Sequence, residues 1–338
     1  MKSFKYSVLG LLFLQLLASS CSKSQEKELL PSPVVTPKPE GLINLSADWV
    51  KNNSLTASFP NDIEVYRRTN SYNSKAMHAW CVVFNPASTV LEFKPVLMST
   101  NTKLSDIYNR EVGTKYIALN AGFFGTNISY SLVMHNQEIL AQNIRSLSRP
   151  FNQVSTTYYP TRGAFGLNAL GKPDISWIYH VGSGNGTIYS YPEPAPNALN
   201  KAPEPQPTAQ LPLGGKIWDV TKAIGGSPVL IKDGQVKLTD TEELISIDNT
   251  SSRARSAIGY TANGNVVLLA VEGNNSNGGV GLTLQELATL MKEMGCVAAL
   301  NLDGGGSTSM IVNGTATVKP SDVAGERPVV SAILIKRK

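Results

Sequence analysis

The 338 residues, 42% hydrophobic and 16% charged, have the composition of a globular protein able to bury a sizeable core in one large domain or two ordinary ones. The formal charge of +5 includes Lys2 and Lys5, which fall in a leader expected to be removed. What remains is too weakly basic for a nucleic-acid partner, and that class is set aside.

The chain begins MKSFKYSVLGLLFLQLLASSC. Two lysines, an apolar run from Val8 to Leu17 and small residues before Cys21 make a secretory signal over residues 1–20, too short to anchor as a span. LLASSC resembles a bacterial lipobox, with Ala18 where the strict motif has Leu. Cys21 is therefore expected to become a lipidated first residue that ties the protein to a membrane in the bacterial cell envelope, at the periplasm or outer-membrane surface. Prolines at 31, 33, 37 and 39 then mark residues 21–42 as a tether. From residue 43 to 338 the chain reads as one domain. Cys81 and Cys296 sit in apolar runs, and both a disulfide and two buried thiols fit the exported compartment.

Short segments rich in β-branched and aromatic residues follow: IEVYRR, HAWCVVF, VLEFKPVLM, YIALNAGFF, ISYSLVM, GAFGL and DISWIYH. A proline-rich insertion at about 191–215 interrupts them. SPVLI, SAIGY, NVVLLAVEG, CVAALNLDG, SMIVNG and PVVSAILI resume the pattern, so the fold class is α+β, with an extensive mixed sheet and a few helices. The clearest helix is TLQELATLMKEMG, where Thr283 and Glu286 form a capping box and Gly295 ends the helix. It runs directly into CVAALNLDGGGSTSM, a buried strand that delivers Asn301 and Asp303 to its carboxyl end, where sites commonly form.

The glycine run is not a familiar nucleotide or nucleophile motif. No Lys follows it as a phosphate-binding loop requires, Ser309 fails the last position of a dinucleotide fingerprint, and no GxSxG exists. Its chemistry is more general. Gly304, Gly305 and Gly306 expose backbone, and Ser307, Thr308 and Ser309 add hydroxyls, which suits a phosphate or a sugar. NAGFFG ends a second strand with Asn120 and Phe123, an amide beside an aromatic face. VEGNNSNGGVG ends a third with Glu272. Arg255 opens a strand in SSRARSAIGY and Arg327 precedes the last one in GERPVV; guanidiniums clamp phosphate oxygens, although either can equally be a structural ion pair.

In this order NAGFF, GGSPVLIKDG, RSAIG, VEG, the capped helix with NLDGGGSTSM, and ERPVVSAILI resemble the phosphodiester glycosidase family from about Met77 to Ile335. The resemblance implies cleavage of the glycosidic bond in a sugar-1-phosphodiester, releasing a free sugar, with N-acetylglucosamine the sugar the family suggests, and leaving a phosphomonoester. It also implies a pocket made of Asn120, Phe123, Gly226, Arg255, Glu272, Asn301, Asp303, Gly304 to Thr308 and Arg327. One departure bears on specificity: many relatives have Asp-Gly-Arg where this chain has Glu272-Gly273-Asn274.

Glycosidases need two carboxyl groups about the scissile bond, and Asp303 and Glu272 are the pair. Asp303 is assigned the attack side, as base or nucleophile, and Glu272 a helper role. Arg255, the glycine loop and Arg327 would neutralise the phosphate. No cofactor and no metal is expected; calcium is the alternative, since Asp303 and Asn301 are oxygen donors, but the spacing matches no EF-hand loop. The expected partners are a phosphoglycan or sugar-1-phosphodiester and a membrane reached through the lipid. A non-catalytic surface protein for glycan binding or envelope polysaccharide assembly, and transfer to an acceptor hydroxyl in place of hydrolysis, remain alternatives.

Overall fold

The computed structural model describes residues 41–275 and 277–338. The expected signal, Cys21 and nearly all of the tether lie outside the described residues. The tether's last residues belong to the fold: the Leu42 N–H donates to Glu64 Oε2 at 2.9 Å and its carbonyl accepts from Asn265 Nδ2 at 2.6 Å.

Three larger sheets of eight, seven and five strands build the domain, with two α-helices among the described residues. The extensive sheet with few helices holds, but it is not mixed: every pairing among the described strands is antiparallel, and two α-helices leave few of the helical crossovers that parallel pairs need. The eight-stranded sheet places Val266–Val271 between Ala79–Phe84 and Arg255–Thr261, and the latter beside Cys296–Asn301. These strands read as continuous apolar runs because both of their faces are covered. Val266, Leu268 and Ala270 point into a core shared by all three sheets, while Val267, Leu269 and Val271 point into a second core. Phe93 of the five-stranded sheet meets Phe165 of the seven-stranded sheet edge-on, with centroids 5.4 Å apart.

The second core lies under helix α2, Leu284–Glu293, whose Leu284, Leu287, Leu290 and Met291 are buried against that sheet. Thr283 makes the capping box: its hydroxyl accepts the Glu286 N–H and its own N–H donates to Glu286 Oε2 at 2.9 Å. Such a cap contributes about 1 kcal/mol. Gly295, at φ +83°, ends the helix in the left-handed conformation that glycine adopts without strain. The chain passes at once into Cys296–Asn301, so α2 fixes the height at which Asp303 emerges.

Cys81 and Cys296 are both free thiols in this second core, and burial raises them, Cys296 to about 12. The proline-rich insertion connects the strands Thr187–Tyr191 and Lys216–Ile217. It is pinned to the body by Tyr191 Oη on the Thr208 carbonyl at 2.7 Å and by the Ala195 N–H on Thr161 Oγ1 at 2.9 Å.

Candidate active site

Asp303 leaves the end of Cys296–Asn301 with its backbone held from two sides. Its N–H donates to the Ala121 carbonyl at 3.0 Å, and its carbonyl accepts Asn120 Nδ2 at 2.6 Å. Asn120 is wholly buried, and its Oδ1 accepts Ser256 Oγ at 2.7 Å and the Ser309 N–H at 3.2 Å. The amide thus joins the ends of three strands beneath the loop, and what it holds is Asp303 itself. The Asp303 carboxyl accepts the Gly304 N–H at 3.0 Å. Burial raises its pKa to about 6 against the opposing pull of the Ser307 hydroxyl, the Gly304 N–H and the Arg327 guanidinium.

Each glycine has its own reason. A side chain on Gly304 would meet the Ala254 carbonyl at 2.8 Å, and one on Gly306 would meet Arg327 Nη2 at 2.2 Å and Asp322 Oδ1 at 2.3 Å. Gly305 stands at φ +58° with open space where a side chain would go. The expectation of bare N–H groups is only partly met. The Gly305 N–H goes to the Ala254 carbonyl, those of Ser307 and Thr308 go to Gly304 and Gly305 carbonyls, and that of Ser309 goes to Asn120. The hydroxyls are different: both are buried, Ser307 Oγ turns to the Asp303 carboxyl, and Thr308 Oγ1 has no hydrogen-bond partner among the described residues. Unpartnered buried hydroxyls are costly unless a ligand or water meets them.

Glu272 follows the strand Val266–Val271 and is buried. Gly273 presses on the Ala254 nitrogen, where a side chain would lie at 2.3 Å, while Gly304 presses on the same residue's carbonyl. The two carboxylate-bearing strand ends therefore flank one residue, Ala254. Glu272 Oε1 accepts the Lys319 N–H at 2.8 Å, and Oε2 accepts Asn275 Nδ2 at 2.8 Å and Asn277 Nδ2 at 3.2 Å. His78 Nδ1, buried and without a hydrogen bond, lies 3.7 Å from Oε2.

The segment from Lys319 to Arg327 closes the arrangement. Arg327 and Asp322 form a two-point ion pair, Nε to Oδ2 at 2.8 Å and Nη2 to Oδ1 at 3.0 Å, seated on Gly306. Asn274, Asn275, Lys319, Asp322 and Gly325 line a cleft of about 390 Å³ beside it. Glu326 accepts Ser309 Oγ at 3.4 Å and holds the start of helix α1, Leu104–Arg110, through the Ser105 N–H at 2.9 Å and Ser105 Oγ at 2.7 Å.

Arg255 is not brought to this cleft by its hydrogen bonds. Its side chain shares a strand face with Ala257, which packs in the core under α2, whereas Ser256 faces Asn120. Its Nε donates to the Leu282 carbonyl at 2.9 Å, and Nη2 donates to those of Asp248 at 2.7 Å and Ser251 at 3.2 Å. Burial lowers its pKa to about 10, so the side chain remains a cation at neutral pH. Replacing Arg255 by Met is expected to destabilise the fold by about 2–4 kcal/mol through three orphaned carbonyls, as read by urea unfolding. A stable variant whose turnover alone is lost would return Arg255 to the chemistry.

Gly226 also serves packing, since a side chain there would lie 2.3 Å from the Asn301 carbonyl. Asn301 Nδ2 donates to the Ser227 carbonyl at 2.8 Å, and its buried Oδ1 has no partner among the described residues. Phe123 is half-buried, and its N–H donates to Ser131 Oγ at 2.9 Å. The sequence reading missed His78, Lys319 and Asp322. Only Asp322 carried a signal, an acid five residues before Arg327.

An antiparallel three-sheet domain with NLDGGGST emerging beside a second buried carboxylate is the arrangement to compare with known proteins. The chain belongs to the phosphodiester glycosidase family, whose description matches residues 114–336. N-acetylglucosamine-1-phosphodiester alpha-N-acetylglucosaminidase from Bos taurus is 34% identical over 118 residues, which are 34% of this chain and 21% of that protein; the Homo sapiens enzyme is 33% identical over 118 residues. The match thus spans about a fifth of the length of those relatives. In fold, the chain is similar to a hypothetical protein from Synechocystis, with TM-score 0.56 and 22% identity over 83% of this chain and 63% of the other. It is also similar to the zebrafish N-acetylglucosamine-1-phosphodiester alpha-N-acetylglucosaminidase catalytic domain auto-inhibited by its pro-peptide, with TM-score 0.53 and 15% identity over 88% and 86%.

Proposed function

We propose that the protein hydrolyses the glycosidic bond of a sugar-1-phosphodiester, releasing free sugar and a phosphomonoester. The observation that carries this reading is Asp303. Its carboxyl, with a pKa raised to about 6, stands on a glycine loop with the Ser307 hydroxyl against it and the unpartnered Thr308 hydroxyl and a guanidinium nearby. A carboxylate near neutral pKa is suited to take a proton from water or to attack the anomeric carbon itself. The carbon–oxygen bond breaks with its electrons moving to the phosphoryl oxygen, so the leaving group gains charge and needs little protonation. Arg327 and Lys319 are the cations for that charge. Glu272 orients water or sugar hydroxyls through the same loop that it holds, and Arg255 supports the site from behind. No metal or other cofactor enters this scheme.

The sugar and the setting are part of the proposal. N-acetylglucosamine is the sugar named for the curated relatives, while Asn274 at the cleft edge argues for a different or broader substrate here. Lipidation at Cys21 would hold the enzyme in a bacterial envelope within reach of phosphoglycans.

The test is incubation with a panel of sugar-1-phosphodiesters in ¹⁸O-water, followed by mass spectrometry. The expected products are a free sugar carrying the label and an unlabelled phosphomonoester. Sugar-1-phosphate would show cleavage of the other bond. Intact diesters that nevertheless bind would favour a glycan-binding protein, and label-free sugar joined to an added alcohol would favour transfer.

A further inference from the structure

A second cleft, of about 420 Å³, lies where the C-terminal end of α2 meets the edge of the eight-stranded sheet. It shares no lining residue with the cleft beside Glu272. Trp49, Leu45, Leu290 and Met294 give it apolar walls, and Arg68, Tyr72, Asp48 and Glu293 give it polar ones.

The polar set is unusually specific about its ligand. Arg68 and Tyr72 are buried, 7% and 6% exposed, with the guanidinium 5.3 Å from the ring centroid. Arg68 Nη2 donates to the Ser71 carbonyl at 2.9 Å and pairs with Asp48 at 3.2 Å, but its Nε has no hydrogen-bond partner among the described residues. Burial, the Glu293 charge and a hydrogen bond to that carboxylate raise the Tyr72 phenol to about 12, which keeps it a donor. A ligand that reaches these groups must therefore offer an acceptor to Arg68. Asp48, which already accepts Asn70 Nδ2, and the exposed Glu293 can each take a further donor from the ligand. Two carboxylates against one guanidinium disfavour an anion, and a simple ammonium ion has no acceptor for Arg68.

An uncharged polyhydroxylated ring meets all of these conditions, since each hydroxyl both donates and accepts and the ring's C–H face suits Trp49 and Met294. We propose that this cleft is a saccharide-binding site that takes a neutral pyranose unit of a glycan, separate from the site of turnover. Its volume fits about one or two rings. Such a site would hold a polymer while the site at Asp303 works on another part of it. The inference stands apart from the hydrolytic reading, because it rests on none of the same residues.

The experiment titrates the full chain with glucose, galactose, N-acetylglucosamine and their methyl glycosides, followed by tryptophan fluorescence and saturation-transfer NMR, with inorganic phosphate and methylammonium as charge controls. At least one neutral sugar is expected to bind saturably, with a dissociation constant on the order of 1 mM. Binding should weaken about tenfold in Tyr72→Phe and in the exposed Glu293→Gln, whose melting temperatures check that the fold is intact. It should persist in Asp303→Asn, where hydrolysis is slowed. Three results would each overturn the proposal: no saturable sugar binding, binding of methylammonium or phosphate in its place, or sugar binding untouched by both cleft variants and lost with Asp303→Asn.

Discussion

Replacing Asp303 by Asn is expected to lower turnover by about 10²–10⁴-fold and at the same time to make the protein more stable at neutral pH. Both effects come from one fact, the burial that raises this carboxyl to about 6. In the unfolded chain the group titrates near its ordinary value of about 3.9, so the folded state binds the proton more tightly. The stability that goes with this preference is complete below pH ~4 and is lost as pH rises through about 6, because above that the fold must hold a buried charge. Asn carries no charge and can still accept the Gly304 N–H, so it escapes that cost, by about 1–3 kcal/mol at pH 8. Urea unfolding of both proteins at pH 4 and pH 8 measures it: the two should nearly coincide at the lower pH and separate at the higher. Wild-type kcat/KM should rise about tenfold per pH unit and level off above about 6, as the base form fills. Unchanged turnover in the Asn variant would remove Asp303 from the attack. A stability difference independent of pH would show that the carboxyl is not held in a low-dielectric site.

The parts of this molecule that were legible in its sequence are those in which the signal and its cause lie close together. Val266–Val271 and Ala79–Phe84 are buried on both faces, which left uninterrupted apolar runs that only a covered strand explains. Thr283 and Glu286 cap their own helix three residues apart. Asp303 and its glycines stand in one motif. The hairpin of Leu147–Phe151 with Val154–Tyr158 was missed because it buries only one of its ten strand residues and has no apolar face to advertise it. Helix α1 was missed for another reason: Lys103 at its start offers no side-chain cap, and the acceptor that serves Ser105 is Glu326, 221 residues away. Arg255 shows the limit of reading residue type without knowing which face is which. A shift of one residue along the strand separates the side that meets Asn120 from the side that meets α2, and the guanidinium falls on the latter. His78 and Glu272 meet only because their strands are neighbours in the sheet.

Glu243 is the largest such omission, and truncating it to Ala is expected to cost about 3–5 kcal/mol. The side chain is wholly buried and accepts five hydrogen bonds: from the Gly163 N–H at 2.9 Å, Ser227 Oγ at 2.6 Å, the Val229 N–H at 2.8 Å, Trp177 Nε1 at 3.0 Å and Thr239 Oγ1 at 2.7 Å. Gly163 and Trp177 belong to the seven-stranded sheet, and Val229 to the eight-stranded one, so one carboxylate joins the two. Burial raises its pKa and those donors oppose the rise, with the Arg162 guanidinium, itself lowered to about 10 by burial, interacting favourably with the charged form. Alanine would leave four of the five donors buried without an acceptor, since Trp177 Nε1 also donates to Thr239 Oγ1 at 3.0 Å. Glutamine should cost less, about 2–3 kcal/mol, since one oxygen remains but an amide N–H₂ would confront donors that cannot reverse. Trp177→Phe removes a single donor and leaves the carboxylate with four, which should cost about 1 kcal/mol from that bond. The loss should also reach the chemistry. Ser227 exchanges its N–H and carbonyl with the Asn301 carbonyl and Nδ2, two residues before Asp303. Denaturant unfolding of the three variants, with kcat measured on whatever remains folded, tests the order. If Ala, Gln and the Trp177 change cost the same, Glu243 fills space and does not join the sheets; if the Ala variant is unstable yet keeps full kcat, the joint is real but does not govern where Asp303 stands.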